Sequence, residues 1–144
     1  MYTGIQHLHS GIAYLALLAL VVVIIYMLIG ALSNREFTEK DRKIGLIAFI
    51  LSHVQLLVGL ILYFISPLGL EMLQSGSAMS DPAARLLALE HPLINIIAII
   101  VISVGYIRAK KPGASRGRFR SIYMMYAIGL LLILSRIPWS VWLG

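Results

Sequence analysis

The sequence predicts an all-α integral membrane protein, a single four-helix bundle, and three observations support this fold class. First, 60% of the 144 residues are hydrophobic and 12% are charged, whereas a soluble chain is about 45–50% apolar and about 25% charged. Second, four apolar runs are each long enough to cross a hydrocarbon core about 30 Å thick. Third, most basic residues lie in the loops after the first and third runs. We expect one domain, residues 1–144.

The first two apolar runs predict helix 1 at about residues 5–32 and helix 2 at about residues 44–66. Helix 1 is too long for a signal peptide, and no basic residue precedes it, so we expect it in the mature protein. The polar loop SNREFTEKDRK separates the two helices. Helix 2 is expected to stop at the turn signal Ser66–Gly69, which contains a proline and a glycine.

The remaining runs predict helix 3 at about residues 82–107 and helix 4 at about residues 121–142. Asp81 and Pro82 are a typical helix start, with an N-cap followed by proline at the first helical position. Pro92 lies inside helix 3, where its missing N–H predicts a kink and leaves the carbonyl of Ala88 in need of another hydrogen-bond partner.

The distribution of charge predicts the orientation of the bundle. Ten of the twelve lysine and arginine residues flank one membrane face, which the positive-inside rule makes cytoplasmic. Both termini are then expected on the outer, periplasmic side of a bacterial inner membrane. The ten residues are Arg35, Lys40, Arg42, Lys43, Arg108, Lys110, Lys111, Arg116, Arg118 and Arg120.

Several functional classes are disfavoured by composition. The absence of cysteine excludes disulfides, thiolate metal sites, iron–sulfur clusters and thioether-linked haem. The net charge of +6 is accounted for by membrane topology, so we expect contact with the lipid bilayer and not with nucleic acid. No paired carboxylates, nucleophile elbow or HExxH pattern favour a hydrolase, and any enzymatic role is expected to be redox.

Ionisable residues within the apolar runs are the candidate functional residues, because charge at membrane depth is costly and usually functional. Helical spacing places a polar and small-residue stripe on each of helices 2, 3 and 4. On helix 1, His7 and His9 point to different sides, and the spacing leaves open which of them faces inward. The candidates are His7, His9, His53, His91, Glu90 and Arg136.

Histidines on three helices, with no thiols available, favour a b-type haem held between the helices. We expect His91 to be one axial ligand, paired with His53 in the first interpretation and with His9 in the second. Arg136 is a candidate partner for a haem propionate. At 1.5 Å per residue, His91 and Arg136 lie about 24 Å from the basic face, His53 about 14 Å and, for a straight helix 1, His9 beyond about 30 Å. A shift of one turn at each helix end, with tilt or a kink, would bring His53 or His9 to the level of His91.

Two alternatives remain open at this stage. A copper or zinc site on the outer side would use His7 or His9 with His91 and Glu90, and His53 is a further candidate metal ligand. In a cofactor-free assembly or structural subunit, the same polar residues would only fix helix packing. A small bundle of this kind is also compatible with a homo-oligomer.

Four stretches of the chain carry a resemblance to a known family. They are YTGIQHLHSGIAYLALL, EFTEKDRKIGLIAFILSHVQLLVGLILYFISPLGL, ALEHPLINIIAIIVISVGYIRAKK and LLLILSRIPWSVWL. Together they resemble small four-helix membrane proteins of Bacteroidota-type bacteria, commonly labelled cytochrome b or uncharacterised. The motif positions are His7, His9, His53, the Glu90–Pro92 triplet and the Arg136–Trp139 segment. The leading hypothesis is therefore a haem b-binding electron carrier, exchanging electrons with quinone or serving as a small subunit of a respiratory complex.

Overall fold

The computed structural model describes residues 1–142, and these residues form four long helices, two short α-helices and a 3₁₀ turn at Ser77–Met79, with no strand. The long helices are α1 (Tyr2–Leu32), α2 (Glu39–Ile65), α4 (Pro82–Lys110) and α5 (Ser115–Ser135). The short helices are α3 (Leu70–Gln74) and α6 (Trp139–Trp142). The prediction of an all-α fold with four apolar spans is confirmed, since each long helix is long and apolar enough to cross a membrane.

The four long helices form a ring in which α1 contacts α2 and α5, and α4 contacts α2 and α5. Large side chains such as Met27, Phe119 and Tyr126 fill its interior. Glycines allow close approach: a Cβ added at Gly129 would lie 2.6 Å from Ile102 Cγ1. The outward faces remain apolar and exposed, as expected for surfaces that contact lipid.

Helix ends differ from the predicted bounds because polar residues extend the helices beyond the apolar runs. At the start of α2, the Asp41 carboxylate accepts a hydrogen bond from the Thr38 backbone N–H at 2.8 Å, which fixes the first turn five residues before the apolar run. Helix α4 continues to Lys110. Helix α5 ends at Ser135, not at about residue 142, because Pro138 cannot continue the helix; the short helix α6 follows it.

Two loops, residues 33–38 and 111–114, lie at one end of the bundle, which we call the basic end. The opposite end, which we call the cavity end, holds the start of α1 and the segment between α2 and α4. At the basic end, Asp41 is buried and bonded by Arg35 through two contacts of 2.8 Å and by the Tyr26 hydroxyl at 2.6 Å. These hydrogen bonds to the Asp41 carboxylate raise the pKa of Arg35 above its ordinary value. This cluster fastens the first loop to both α1 and α2.

A π-helical turn occupies Leu86–Glu90 of α4, where the sequence predicts a kink, and it ends two residues before Pro92. The carbonyl of Ala88 loses its usual helical donor there and accepts a hydrogen bond from the Tyr63 hydroxyl of α2 at 2.9 Å. The expectation that this carbonyl needs another partner is therefore confirmed.

Candidate functional site

A cavity of about 520 Å³ lies among α1, α2, α4 and the segment after α5, at the cavity end. This volume falls within the range of small-molecule sites, about 300–1,000 Å³. Its walls are mostly apolar, and a few polar side chains converge on it. The polar lining includes His7, His9, Ser10, Ser52, Gln55, Tyr63, Ser66, His91 and Asn95.

Two histidines from different helices face each other in this cavity. The ring centroids of His9 on α1 and His91 on α4 are 6.3 Å apart, and their planes are nearly perpendicular, at 88°. Both side chains are half-buried, whereas His7 is exposed at the rim. The structure thus brings His9, and not His7, opposite His91, a choice that the helical spacing left open.

The straight-helix count placed His9 further from the basic face than His91, with a tilt or kink able to bring the two level. Helix α4 runs to Lys110, three residues further than expected, which adds about 4–5 Å to the depth of His91 at 1.5 Å per residue. The contact between the two rings places His9 and His91 in one layer of the bundle.

The ring of His91 is oriented by a backbone acceptor. Its Nδ1 lies 2.8 Å from the carbonyl oxygen of Arg136, which can only accept, so Nδ1 carries the proton and donates. In a neutral imidazole this leaves the lone pair on Nε2. Asn95 further fixes this turn by donating to the His91 carbonyl at 2.7 Å. In metal-bound histidines, the ring nitrogen that does not bind the metal commonly donates a hydrogen bond to a carbonyl in this way.

Two buried polar atoms beside His91 have no hydrogen-bond partner within residues 1–142: Nδ1 of His9 and Oε1 of Gln55. The amide nitrogen of Gln55 is used, donating to the His9 carbonyl at 3.0 Å and joining α2 to α1. Buried polar groups are nearly always paired, so unpaired ones require an explanation such as an absent ligand or ion. Both orphaned atoms belong to residues that line the cavity.

Gly59 of α2 makes room for the ring of His9. A Cβ added at Gly59 would lie 2.9 Å from His9 Cε1 and 3.4 Å from Nδ1. Because 2.9 Å is closer than real Cβ contacts, a side chain here would force the ring to move. Glycine at this position therefore helps to define where His9 lies.

His53 lies elsewhere and does not line the cavity. Its Nδ1 is 2.7 Å from the Phe49 carbonyl and its Nε2 is 3.1 Å from the Ser103 hydroxyl, so both ring nitrogens have partners. The ring also stacks on Phe49 with centroids 4.0 Å apart. The structure does not bring His53 to His91. The sequence left two pairs open, His53 with His91 and His9 with His91. The structure brings the second pair together.

Glu90 is held by two arginines and does not line the cavity. Its carboxylate oxygens lie 2.9 Å from Arg85 Nε and 3.4 Å from Arg136 Nε. Among residues 1–142, no group of three or more His, Asp or Glu side chains is close enough to hold a metal ion. Glu90 is thus paired with Arg85 and Arg136, and this arrangement does not support its predicted role as a metal ligand.

Tyr63, the donor to the Ala88 carbonyl, is the cavity residue that the sequence reasoning missed. Its signal was present, because Gln55, Gly59 and Tyr63 follow one another at four-residue spacing on α2 and share a face. The polar and small-residue stripe predicted on helix 2 comprises Ser52, Gln55 and Gly59, and it stops one turn before Tyr63. Extending it by one turn would have found the tyrosine.

No family model, no curated protein and no solved structure matches the chain.

Proposed function

We propose that this chain is a haem b-binding membrane protein that carries electrons, in which His9 and His91 would hold the haem iron. The observation on which the proposal depends is the pair of imidazoles from α1 and α4, 6.3 Å apart in a cavity that also contains two unpartnered polar atoms. A bound haem would supply one-electron transfer.

The separation of the two rings fits one metal centre between them. A metal–imidazole bond is about 2.0–2.1 Å, and the ring centroid lies about 1 Å beyond the nitrogen, so rings on opposite sides of one metal have centroids about 6 Å apart. The 6.3 Å separation is close to this distance, so His9 and His91 would both be able to contact one metal centre.

The remaining groups have positioning roles in this proposal. The Arg136 carbonyl holds the His91 ring through Nδ1, and Gln55 holds the α1 backbone at His9. The apolar walls exclude water, which strengthens electrostatic interactions within the site. Arg136 contributes its backbone carbonyl, which accepts from His91. Its guanidinium contacts Glu90 at 3.4 Å and Arg136 does not line the cavity, so its pairing with a propionate stays a prediction from the sequence.

We further propose that the protein lies in a bacterial inner membrane with the basic end in the cytoplasm and the cavity on the outer side. Its electron partners would be quinone or subunits of a respiratory complex. The chain has no cysteine, so single cysteines can report the orientation without background. In intact cells, a membrane-impermeant thiol reagent should label Gln74→Cys and spare Lys40→Cys. The opposite pattern would reverse the orientation.

The haem proposal is tested by the absorption spectrum of the purified full chain after expression with ample haem. We expect a Soret band that shifts on reduction and is lost or displaced in His9→Ala and in His91→Ala. His53→Ala is the matched control and should retain the band, because His53 lies outside the cavity. Protein without a Soret band, or a band that survives both cavity substitutions, would refute the proposal.

A copper or zinc ion is the second candidate, favoured by the unpaired Gln55 oxygen that accompanies the two imidazoles. Elemental analysis of the same purified protein separates the two cases. Stoichiometric copper or zinc that disappears in His9→Ala would support this alternative, and its absence would remove it. If neither haem nor metal is found, the polar residues are left with a packing role.

A further inference from the structure

A second pocket, open and about 460 Å³ in volume, lies at the basic end between α4, the loop 111–114 and α5. It shares no residue with the histidine cavity. Its lining comprises Arg108, Lys111, Pro112, Gly113, Ala114, Gly117, Arg118, Arg120, Ser121, Met124, Met125 and Ile128.

One part of the basic-end pocket is strongly cationic. Four of its lining residues are basic, and the segment 108–120 contains six lysines or arginines and no acidic residue. The ion pairs at this end join Arg35 to Asp41 and Arg42 to Glu39. Within residues 1–142, no carboxylate lies within ion-pair distance of Arg108, Lys111 or Arg120. The pocket therefore presents cations that this chain does not neutralise.

Arg118 is built into the pocket wall. Its Nε donates to the Ala109 carbonyl at 2.8 Å, and its guanidinium lies 4.4 Å from the centroid of the Phe37 ring. These two contacts join α5 to α4 and to the first loop. The position of at least one cation is thus fixed by packing.

The other part of the pocket is apolar and follows one face of α5. Gly117, Ser121, Met124 and Ile128 recur at three- and four-residue spacing, so they line a single strip about 16 Å long at 1.5 Å per residue. Met124 and Ile128 are 40% and 44% exposed, although they belong to a helix long and apolar enough to cross a membrane. The strip leads from the cations toward the membrane interior.

From this juxtaposition we propose that the basic-end pocket binds one anionic phospholipid, with the phosphate among Lys111, Arg118 and Arg120 and an acyl chain along Met124 and Ile128. Charge complementarity selects an anionic headgroup, and the apolar strip selects a lipid over a free phosphate. Basic pockets between transmembrane helices bind anionic headgroups on general electrostatic grounds. This proposal is independent of the haem proposal, since it concerns the other end of the bundle.

The test is the retention of phosphatidylglycerol by the full chain in detergent, measured by native mass spectrometry over a lipid titration. Lys111→Gln with Arg120→Gln removes two lining charges, and we expect the affinity to fall on the order of 10–30-fold. The matched control, Lys110→Gln with Arg116→Gln, removes two charges from the same basic segment, residues 108–120, that do not line the pocket. It should change the affinity less than about threefold.

A second variant changes volume without changing charge. A Cβ at Gly117 would meet no atom within 4 Å, so Gly117→Leu can be accommodated and would occupy the pocket. We expect it to lower phosphatidylglycerol retention while the chain keeps all its cations.

Four outcomes would overturn the assignment. An equal loss in the control pair would mean diffuse surface attraction, and unchanged retention by Gly117→Leu would mean that the pocket is not the site. Equal retention of phosphatidylcholine would remove the role of charge. Equally tight binding of glycerol phosphate would show that the site takes a phosphate and not a lipid.

Discussion

Gly59 offers a test of whether the position of His9 matters, because a single methyl group added there would contact the histidine ring before any other group. The three nearest atoms to a Cβ at Gly59 all belong to that ring, at 2.9, 3.4 and 3.8 Å. Gly59→Ala therefore acts on the site through His9 while leaving every proposed ligand in the chain. It separates positioning from loss of a ligand.

The size of the effect follows from these distances. Moving the Cε1 contact from 2.9 Å to ordinary contact at 3.4 Å requires a ring displacement of about 0.5 Å. Metal–ligand distances tolerate deviations of only about 0.2 Å. We therefore expect Gly59→Ala to weaken haem binding about 10–100-fold, the loss typical when a group that positions a metal ligand is changed.

Haem titration of the purified chain, followed by Soret absorbance, measures this loss. Gly11→Ala is the matched control, since the added Cβ on α1 would meet no atom within 4 Å. It should bind haem like the unmodified chain. If Gly59→Ala binds haem normally while His9→Ala does not, the argument that Gly59 positions the ring is wrong. If both bind normally, His9 is not a ligand.

Three further predictions concern the bundle itself and are measured as free energies of unfolding in detergent. Tyr63→Phe leaves the Ala88 carbonyl without its donor and should destabilise the protein by about 0.6–1.7 kcal/mol, the range measured for interhelical hydrogen bonds in membranes. Gly129→Ala places a Cβ 2.6 Å from Ile102 Cγ1 and should cost about 1–3 kcal/mol through overpacking. Asp41→Asn removes a buried carboxylate bonded by a guanidinium and should cost about 1.5–3 kcal/mol.

Each of these three test variants has a control variant, in which the same kind of substitution is made where the structure shows no comparable contact. Tyr123→Phe removes a hydroxyl that makes no side-chain hydrogen bond within residues 1–142, Gly11→Ala adds a Cβ in open space, and Glu36→Gln changes an exposed acid in the same loop as the Asp41 cluster. The control variants should stay within about 0.5 kcal/mol of the unmodified chain. A test variant that behaves like its control would show that the contact in question does not stabilise the fold.

Much of the architecture could be predicted because it depends on local chemistry. Four apolar runs gave the four spans, and the missing N–H of Pro92 predicted that the Ala88 carbonyl would need another partner. Helix ends were predicted less well. The apolar pattern marks the part of a helix that lies in lipid. The helix itself extends beyond that part until a cap or another break in its backbone hydrogen bonds ends it, as after Thr38 and at Lys110.

The identity of the histidine pair could not be predicted from the sequence. Counting residues along a helix gives the depth of a side chain only to about one turn, and a metal centre requires much more precise placement. One turn rises 5.4 Å, and an uncertainty of one turn at each helix end is enough to move His9 or His53 into the layer of His91. A metal centre requires placement to a few tenths of an ångström. What decides between the candidates is tertiary: Ser103 and Phe49 occupy both nitrogens of His53, while the absence of a side chain at Gly59 leaves the ring of His9 free to face His91. Sequence patterns can therefore identify candidate ligands in a membrane bundle. Which candidates are available to bind a metal depends on whether their ring nitrogens already have hydrogen-bond partners in the folded protein.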